Sequence, residues 1–337
     1  MIEAAATPLL IWGAGAIGGT VGAYLARAGV EVLFVDAVRE HVAEINAHGI
    51  AIEGPIDTFA TPARALTPDQ VTGTFGRILL CVKSHHTAAA TKQLAPHLAE
   101  DGYVASFQNG LNEYVIAETV GMARVIGAFV NFGADYLSPG RILFGGRGAV
   151  VLGEMDGTLS PRLDALHRVI TGFEPNAIVT NNIVGYLWGK LGYGALLFAT
   201  ALTDDPIADV LGDATHRSVL SDLACEVMQV AAARRVHPLG FNGFDPTAFR
   251  PGSDASASFA AMAAHNRTSA KTHSGIWRDL AVHGRATEVD AQLGPIAEAG
   301  RAAGVPTPLV RRLTYMIHEI ELGQRPMTRA NLDELAA

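Results

Sequence analysis

Near the N-terminus the run Gly13-Ala14-Gly15-Ala16-Ile17-Gly18 has the spacing of a phosphate-binding turn. In a G-x-G-x-x-G turn the first glycine permits a tight bend and the second lets the backbone approach a pyrophosphate. The third lets the following helix pack closely on its strand. The free N–H groups of that helix then face the phosphates. Gly13, Gly15, Ala16, Ile17 and Gly18 are therefore candidate dinucleotide-binding residues, with a purely structural glycine turn as the other reading. Asp36 closes the next apolar stretch. A carboxylate there accepts hydrogen bonds from the ribose hydroxyls of NAD and repels the 2′-phosphate of NADP. NAD is the expected cofactor. NADP is the alternative, because Arg39 could reach a 2′-phosphate, and an ordinary solvated loop acid is the other reading of Asp36.

Such a turn needs a strand before it and a helix after it, and the hydropathy pattern provides both. Residues 9–12 read as a buried strand, 17–28 as a helix, 31–35 as a strand and 38–47 as a helix. Residues 77–82 are a further strand, 86–98 are helix-like and 103–107 are again extended. This alternation predicts a parallel sheet with helices on both faces. Residues 125–134, 140–144 and 149–153 read as extended segments that finish the sheet with antiparallel strands. A helix over 165–172 and a last strand over 177–180 follow. Beyond Asn182 the pattern is helical, over 183–202, 206–211, 218–235, 259–264, 287–303 and 308–321, with a loop over 238–258. The expected architecture is α/β: an N-terminal Rossmann dinucleotide-binding domain over 1–181 and an all-helical substrate and dimerisation domain over 182–337.

The 337 residues are 49% hydrophobic, enough for two cores, and carry a formal net charge of −8. That charge argues against a general nucleic-acid partner, whose footprint would be basic. Cys81 and Cys225 read as reduced core thiols, and with no CxxC or HExxH run no metal site is expected. The N-terminal stretch has no basic n-region and is not read as a signal peptide. No apolar run is long enough to span a bilayer, so no membrane partner and a cytoplasmic location are expected.

Four further stretches follow the glycine turn in order: Cys81-Val-Lys83-Ser84, Phe107-Gln-Asn109-Gly-Leu-Asn-Glu113, Leu187-Trp-Gly-Lys190-Leu191, and the run from His273 to Asp290. With the turn they resemble the ketopantoate reductase family over nearly the whole chain. The resemblance implies a 6-phosphogluconate-dehydrogenase-like protein that reduces a 2-keto acid with a nicotinamide cofactor, in a cleft between a Rossmann and a helical domain, and it accords with a homodimer through the helical domain. It also implies roles. Lys190 falls on the family's catalytic lysine, and Asn109 on the asparagine that lines the nicotinamide and substrate region. Lys83 falls on a lysine near the cofactor and reacting centre, and Glu288 on an acid near the ribose and substrate end. Ser274 is near a substrate-binding serine, but its spacing to Asp279 is one residue longer than in the usual S-M-x-x-D form. His273 is therefore the alternative.

One run departs from the family. K-x-x-x-N-x-x-x-N is replaced by Lys190-Leu-Gly-Tyr193-Gly194-Ala-Leu-Leu-Phe198. Residues four apart share a helix face, so Gly194 and Phe198 are expected to replace two amides with open space and an apolar wall. A site that loses such partners loses discrimination for a polar substrate. A bulkier or more apolar 2-keto or hydroxy compound than ketopantoate is expected, with Tyr193 and Trp277 as pocket or core residues. Lys190 interrupts an otherwise apolar helix, where a charge is costly without a purpose. Aimed at the reacting oxygen, its ammonium stabilises the developing alkoxide and donates a proton. The ordinary readings are a surface lysine for Lys190, a turn residue for Asn109, and for Glu288 a first-turn helix acid with Arg285 or Thr287 nearby. An NADPH-linked 2-dehydropantoate 2-reductase and a non-catalytic dinucleotide sensor are the alternatives to an NAD-dependent oxidoreductase of another acid.

Overall fold

Residues 7–268 and 271–337 are described by a computed structural model, and the chain ahead of Thr7, part of the stretch weighed as a signal peptide, lies outside them. Strand β1 (Leu9–Trp12) is buried at every position because both of its faces are covered. Leu9 and Ile11 enter one core and Leu10 and Trp12 another. The remaining strands are β2 (Val32–Val35), β3 (Ile50–Glu53), β4 (Phe59–Thr61), β5 (Arg64–Leu66), β6 (Phe75–Leu80), β7 (Leu98–Ser106), β8 (Val125–Val130), β9 (Gly133–Ser138), β10 (Arg141–Gly146), β11 (Val150–Glu154) and β12 (Ile178–Val179). The helices among them are α1 (Ala16–Arg27), α2 (Arg39–His48), α3 (Thr87–Leu94), α4 (Asn112–Val120) and α5 (Pro161–Ile170).

The larger sheet has the order β12-β11-β8-β7-β6-β1-β2-β5. From β5 to β8 every pairing is parallel, and the strand order is that of a Rossmann fold. Side chains of α1, α2 and α5 join the core on one face, and those of α3 and α4 the core on the other. Two expectations need correction. Only β11 extends the sheet antiparallel, on β8, and β12 then pairs parallel with β11. The expected segment 140–144, which becomes β10, leaves it and with β9, most of which was not expected, builds a second sheet of order β4-β3-β10-β9, whose β3 and β4 lie in a stretch the pattern left unassigned. The reason is amphipathic alternation. Ile142 and Phe144 are buried while Arg141 is exposed and pairs with Glu53 at 2.6 Å, so this sheet turns its apolar face to α1, where Tyr24 meets Phe144 and Phe59 edge-on. The helix-like run expected over 86–98 is α3 continued by a 3₁₀ turn over Ala95–His97, since Pro96 has no N–H to carry the α-helix on.

A first unit ends at Ile183 and a second begins at Val184. Helices follow: α6 (Ile183–Thr200), α7 (Ile207–Gly212), α8 (Arg217–Ala233), α9 (Ser256–Arg267), α10 (Gly275–Trp277), α11 (Val289–Ala303), α12 (Pro308–Glu321) and α13 (Ala330–Ala336). Buried Glu226 of α8 accepts hydrogen bonds from Leu309 N and Val310 N, both 2.9 Å, at the start of α12, where an anion opposes the helix dipole. A π-helical turn over Arg278–Val282 follows α10, in the stretch where the spacing from Ser274 to Asp279 is one residue longer than in the family form. Cys81 is buried and Cys225 half-buried, both as free thiols. No helix among the described residues is long and apolar enough to cross a membrane.

Candidate active site

Gly13, Asp36, Lys83 and Asn109 each follow the carboxyl end of a parallel strand, β1, β2, β6 and β7 respectively. In a doubly wound sheet that edge is where ligands bind. The glycine turn has little freedom. Gly13 has φ +101°, and a Cβ there would stand 2.8 Å from Val82 N. A Cβ on Gly18 would stand 2.0 Å from Gly13 O and 2.9 Å from Cys81 Cβ. Gly15 differs, for a Cβ there would meet nothing within 4 Å. It sits at the N-cap of α1, whose first turn has no side-chain cap and no acidic residue. Open space above an uncapped helix start, with glycine under it, fits a pyrophosphate.

Asp36 is held in place. Its Oδ2 accepts from Ala14 N and its Oδ1 from Val38 N, both 2.9 Å. A carboxylate has about four lone-pair sites, so capacity for ribose hydroxyls remains. Arg39, the side chain that could serve a 2′-phosphate, is 78% exposed and lies 3.7 Å from Asp69. His41, which the pattern did not single out, fixes the same turn. Gly140 N donates to its Nδ1 at 2.9 Å, so Nε2 carries the proton and donates to Ala14 O at 2.9 Å. The imidazole is 1% exposed. Both polar atoms of the Ala14 backbone are thus engaged, one by Asp36 and one by His41.

Lys83 and Asn109 sit on loops that a buried network ties together. Ser84 Oγ donates to Asn109 O at 2.9 Å. Asn112 Nδ2 donates to Ser84 Oγ at 3.0 Å and also to Asn109 O. Thr87 Oγ1 donates to Asn112 Oδ1, and Gln108 Nε2 donates to Val82 O and Thr87 Oγ1, all at 2.8 Å. Gly110, with φ +88°, makes the turn of the Asn-Gly pair. Sequence reasoning missed these positioning residues, although Ser84, Gln108 and Asn112 lie inside the runs that carry the family resemblance.

In the helical unit, α6 is buried around most of its circumference. Tyr186, Lys190, Gly194 and Leu197 form a half-buried stripe along it. Phe198 does not continue that stripe. Eight residues of an α-helix drift by about 80° and seven by only about −20°, so the stripe passes to Leu197 and Phe198 turns into the core with 0% exposure. Tyr193 is also buried, and its hydroxyl accepts from Asn266 Nδ2 at 2.8 Å. Gly194 is open on its outer side, where a Cβ would meet only Gln292 Oε1, at 3.6 Å.

Glu288 occupies the N-cap of α11 without making a side-chain capping bond. Thr287 N and Oγ1 both donate to Glu321 Oε1 at 2.7 Å, and Arg285 pairs with Asp279. His318 bridges Glu321 at 2.8 Å and Asp290 at 2.9 Å. Burial pulls the His318 imidazole down, but hydrogen bonds to the two carboxylates and their charges outweigh it and hold it above the ordinary histidine range. Burial pushes the Glu321 carboxyl up, but the bonds from Thr287 and His318 bring it below the usual range. Ser274 is buried and its Oγ accepts from Trp277 N at 3.1 Å. His273 stacks on Trp277 at 4.1 Å, and the indole N–H donates to Asp204 Oδ1 at 2.9 Å.

A Rossmann unit with a glycine turn and an acid after β2, followed by a helical unit, defines the class of dinucleotide-binding proteins with a helical second domain. The comparison with known families agrees. The family model described as ketopantoate reductase PanE/ApbA matches residues 9–157, and that of the ketopantoate reductase PanE/ApbA C terminal matches residues 182–321. The chain belongs to the ketopantoate reductase family, an NAD(P)-dependent oxidoreductase acting on hydroxy or keto acids. The 2-dehydropantoate 2-reductase of Mesorhizobium japonicum is 26% identical over 335 residues, covering 93% of this chain and 97% of that one. The enzyme of the same name from Archaeoglobus fulgidus is 27% identical over 314 residues, with 93% and 97% covered. Among solved structures, a PanE/ApbA family ketopantoate reductase from Ralstonia eutropha JMP134 superposes with a TM-score of 0.79 at 27% identity, covering 94% of this chain and 99% of that one. D-mandelate dehydrogenase, solved with NADH and anilino(oxo)acetate, shares the fold with a TM-score of 0.81 at 23% identity and the same coverage.

Proposed function

We propose that this oxidoreductase uses NAD(H) and acts on a 2-keto or 2-hydroxy acid with an apolar substituent, for which ketopantoate is a poor stand-in. When bound, the nicotinamide supplies or accepts the hydride. The uncapped start of α1 with Gly15 holds the pyrophosphate, and Asp36 takes the ribose hydroxyls. Lys83 and Asn109, fixed by the network after β6 and β7, serve the cofactor and reacting end. Lys190 places its ammonium at the substrate's reacting oxygen, stabilises the alkoxide that develops on reduction and gives it a proton. Glu288 serves the ribose and substrate end. His273, Ser274 and Trp277 are substrate-side residues in this reading, and the helical unit carries a homodimer contact.

The observation behind the substrate assignment is the stripe of α6, where Lys190 is followed by a gap at Gly194 and then by Leu197. The apolar wall is Leu197, in place of Phe198. The named relatives favour a second reading, reduction of ketopantoate with NADPH. A panel of ketopantoate, 3,3-dimethyl-2-oxobutanoate and phenylglyoxylate, assayed with NADH and NADPH by nicotinamide absorbance, separates the two. The proposal expects a higher kcat/KM on an apolar acid than on ketopantoate, with NADH. Efficient ketopantoate reduction, above ~10⁴ M⁻¹s⁻¹, would support the second reading.

A further inference from the structure

We infer that Gln292 is a specificity-determining residue of the substrate site, where it supplies from α11 the hydrogen-bonding amide that α6 lacks at Gly194. The inference rests on the proposed reading of Lys190. Gly194 lies four residues beyond Lys190 on the half-buried stripe of α6, about one turn or 6 Å along the axis. Glycine leaves that place empty of side chain, and the first group beyond it is the Gln292 amide, with Oε1 at 3.6 Å from where a Cβ would stand. Gln292 is half-buried and its backbone N–H donates to Glu288 O at 3.0 Å, so it sits one turn beyond Glu288 on α11. Among the described residues no protein group hydrogen-bonds its side-chain amide. A primary amide offers two donors and an acceptor, and half-burial beside an apolar helix face favours a ligand that uses them.

The group recognised is an oxygen of the keto or hydroxy acid, either its carboxylate or a hydroxyl on its side chain. Rotation about the last side-chain bond turns the NH₂ group to either. Glycine at 194 is what makes room, since a longer side chain there would occupy the space into which Gln292 projects. The site therefore keeps one amide near Lys190 and loses the second to Leu197, a combination suited to an acid with one polar anchor and an otherwise apolar body.

Gln292→Ala and Gln292→Glu, compared with wild type on the three-acid panel, test the assignment. Ketopantoate and 3,3-dimethyl-2-oxobutanoate differ by a single hydroxyl. If Gln292 anchors the carboxylate, Gln292→Ala raises KM about tenfold or more on every acid turned over while kcat changes little, and Gln292→Glu does so more strongly through like-charge repulsion. If it anchors the hydroxyl, Gln292→Ala raises KM for ketopantoate about tenfold relative to 3,3-dimethyl-2-oxobutanoate and leaves the unhydroxylated acid unchanged. Titration of the hydroxy-acid product into each variant with oxidised cofactor present reads the same loss as binding. Unchanged KM and product affinity in variants that melt like wild type would overturn the role of Gln292 alone. A fall in kcat at constant KM would also overturn it. A wild type that turns over no acid, with either cofactor, would instead defeat the reading on which it rests.

Discussion

The glycine turn after β1 and the half-buried stripe of α6 both place glycine where the proposed function puts a ligand, yet the two positions are constrained by different forces. In the turn, backbone sterics decide. A Cβ on Gly13 or Gly18 would press on the main chain of the β6 end or of the turn itself, so the fold requires glycine whether or not a cofactor binds. On α6 nothing in the fold requires Gly194, where a Cβ would meet only the end of a flexible side chain. A glycine inside a helix costs roughly 1 kcal/mol relative to alanine, and the core absorbs Phe198 without a break in the helix. The glycine turn is thus held by backbone geometry, while at Gly194 only side chains border the space.

The largest effects belong to the turn. Gly18→Ala is expected to lower stability by about 1–3 kcal/mol through overpacking and to abolish NADH binding. Gly15→Ala should melt like wild type and still lose about tenfold or more in NADH affinity, because its methyl enters the open space. Thermal melts with NADH titrations check both, and a Gly15→Ala variant that binds like wild type would detach that space from the cofactor. Asp36→Ala is the next step down. One charge-assisted bond of about 1.5–3 kcal/mol is expected to make the NAD(H) preference roughly tenfold to hundredfold. The substitution should narrow it from both sides, weakening NAD(H) by removing the acceptor for its ribose hydroxyls and improving NADP(H) by removing the charge. Tighter NADP(H) binding by the wild type would break this prediction.

The same contrast explains what the sequence made legible. The β-α-β order, the glycine turn and Asp36 were readable because period, glycine sterics and a carboxylate at a strand end act locally. The second sheet was not, because β3 and β10, far apart in the chain, pair parallel edge to edge and only together lay an apolar face on α1. His41 and the network of Ser84, Thr87, Gln108 and Asn112 were hidden for a similar reason: their partners are distant in sequence and their residue types are common in loops. On α6 the rule of four residues per turn placed Gly194 beside Lys190 but failed by the second turn, where the accumulated drift exchanged Phe198 for Leu197. Gln292 carries no local signal and emerges only when α11 lies beside α6.

The smallest effect probes the support under Glu288. His318 has a raised folded pKa, so its contribution is complete below the unfolded value of about 6.5 and lost as pH rises through the folded one. Glu321 is depressed, so its contribution is present above about 4.5 and lost as pH falls through its lowered value. His318→Gln should therefore lower Tm most between about pH 4.5 and 6.5, on the order of one or two degrees, with the difference fading as pH rises through the raised folded pKa of His318. A pH-independent difference would show that His318 acts by packing alone.

The division of labour between the two regions is tested most directly at Lys190. Lys190→Ala, assayed on the best acid of the panel and titrated separately with NADH, should lose about a hundredfold or more in kcat while the Kd for NADH stays within about twofold of wild type, since the proposed function puts the ammonium on the developing alkoxide and the dinucleotide on the glycine turn. Near-normal turnover would return Lys190 to an ordinary helix lysine, and a loss of NADH affinity equal to the loss in kcat would contradict the separation of cofactor binding from chemistry.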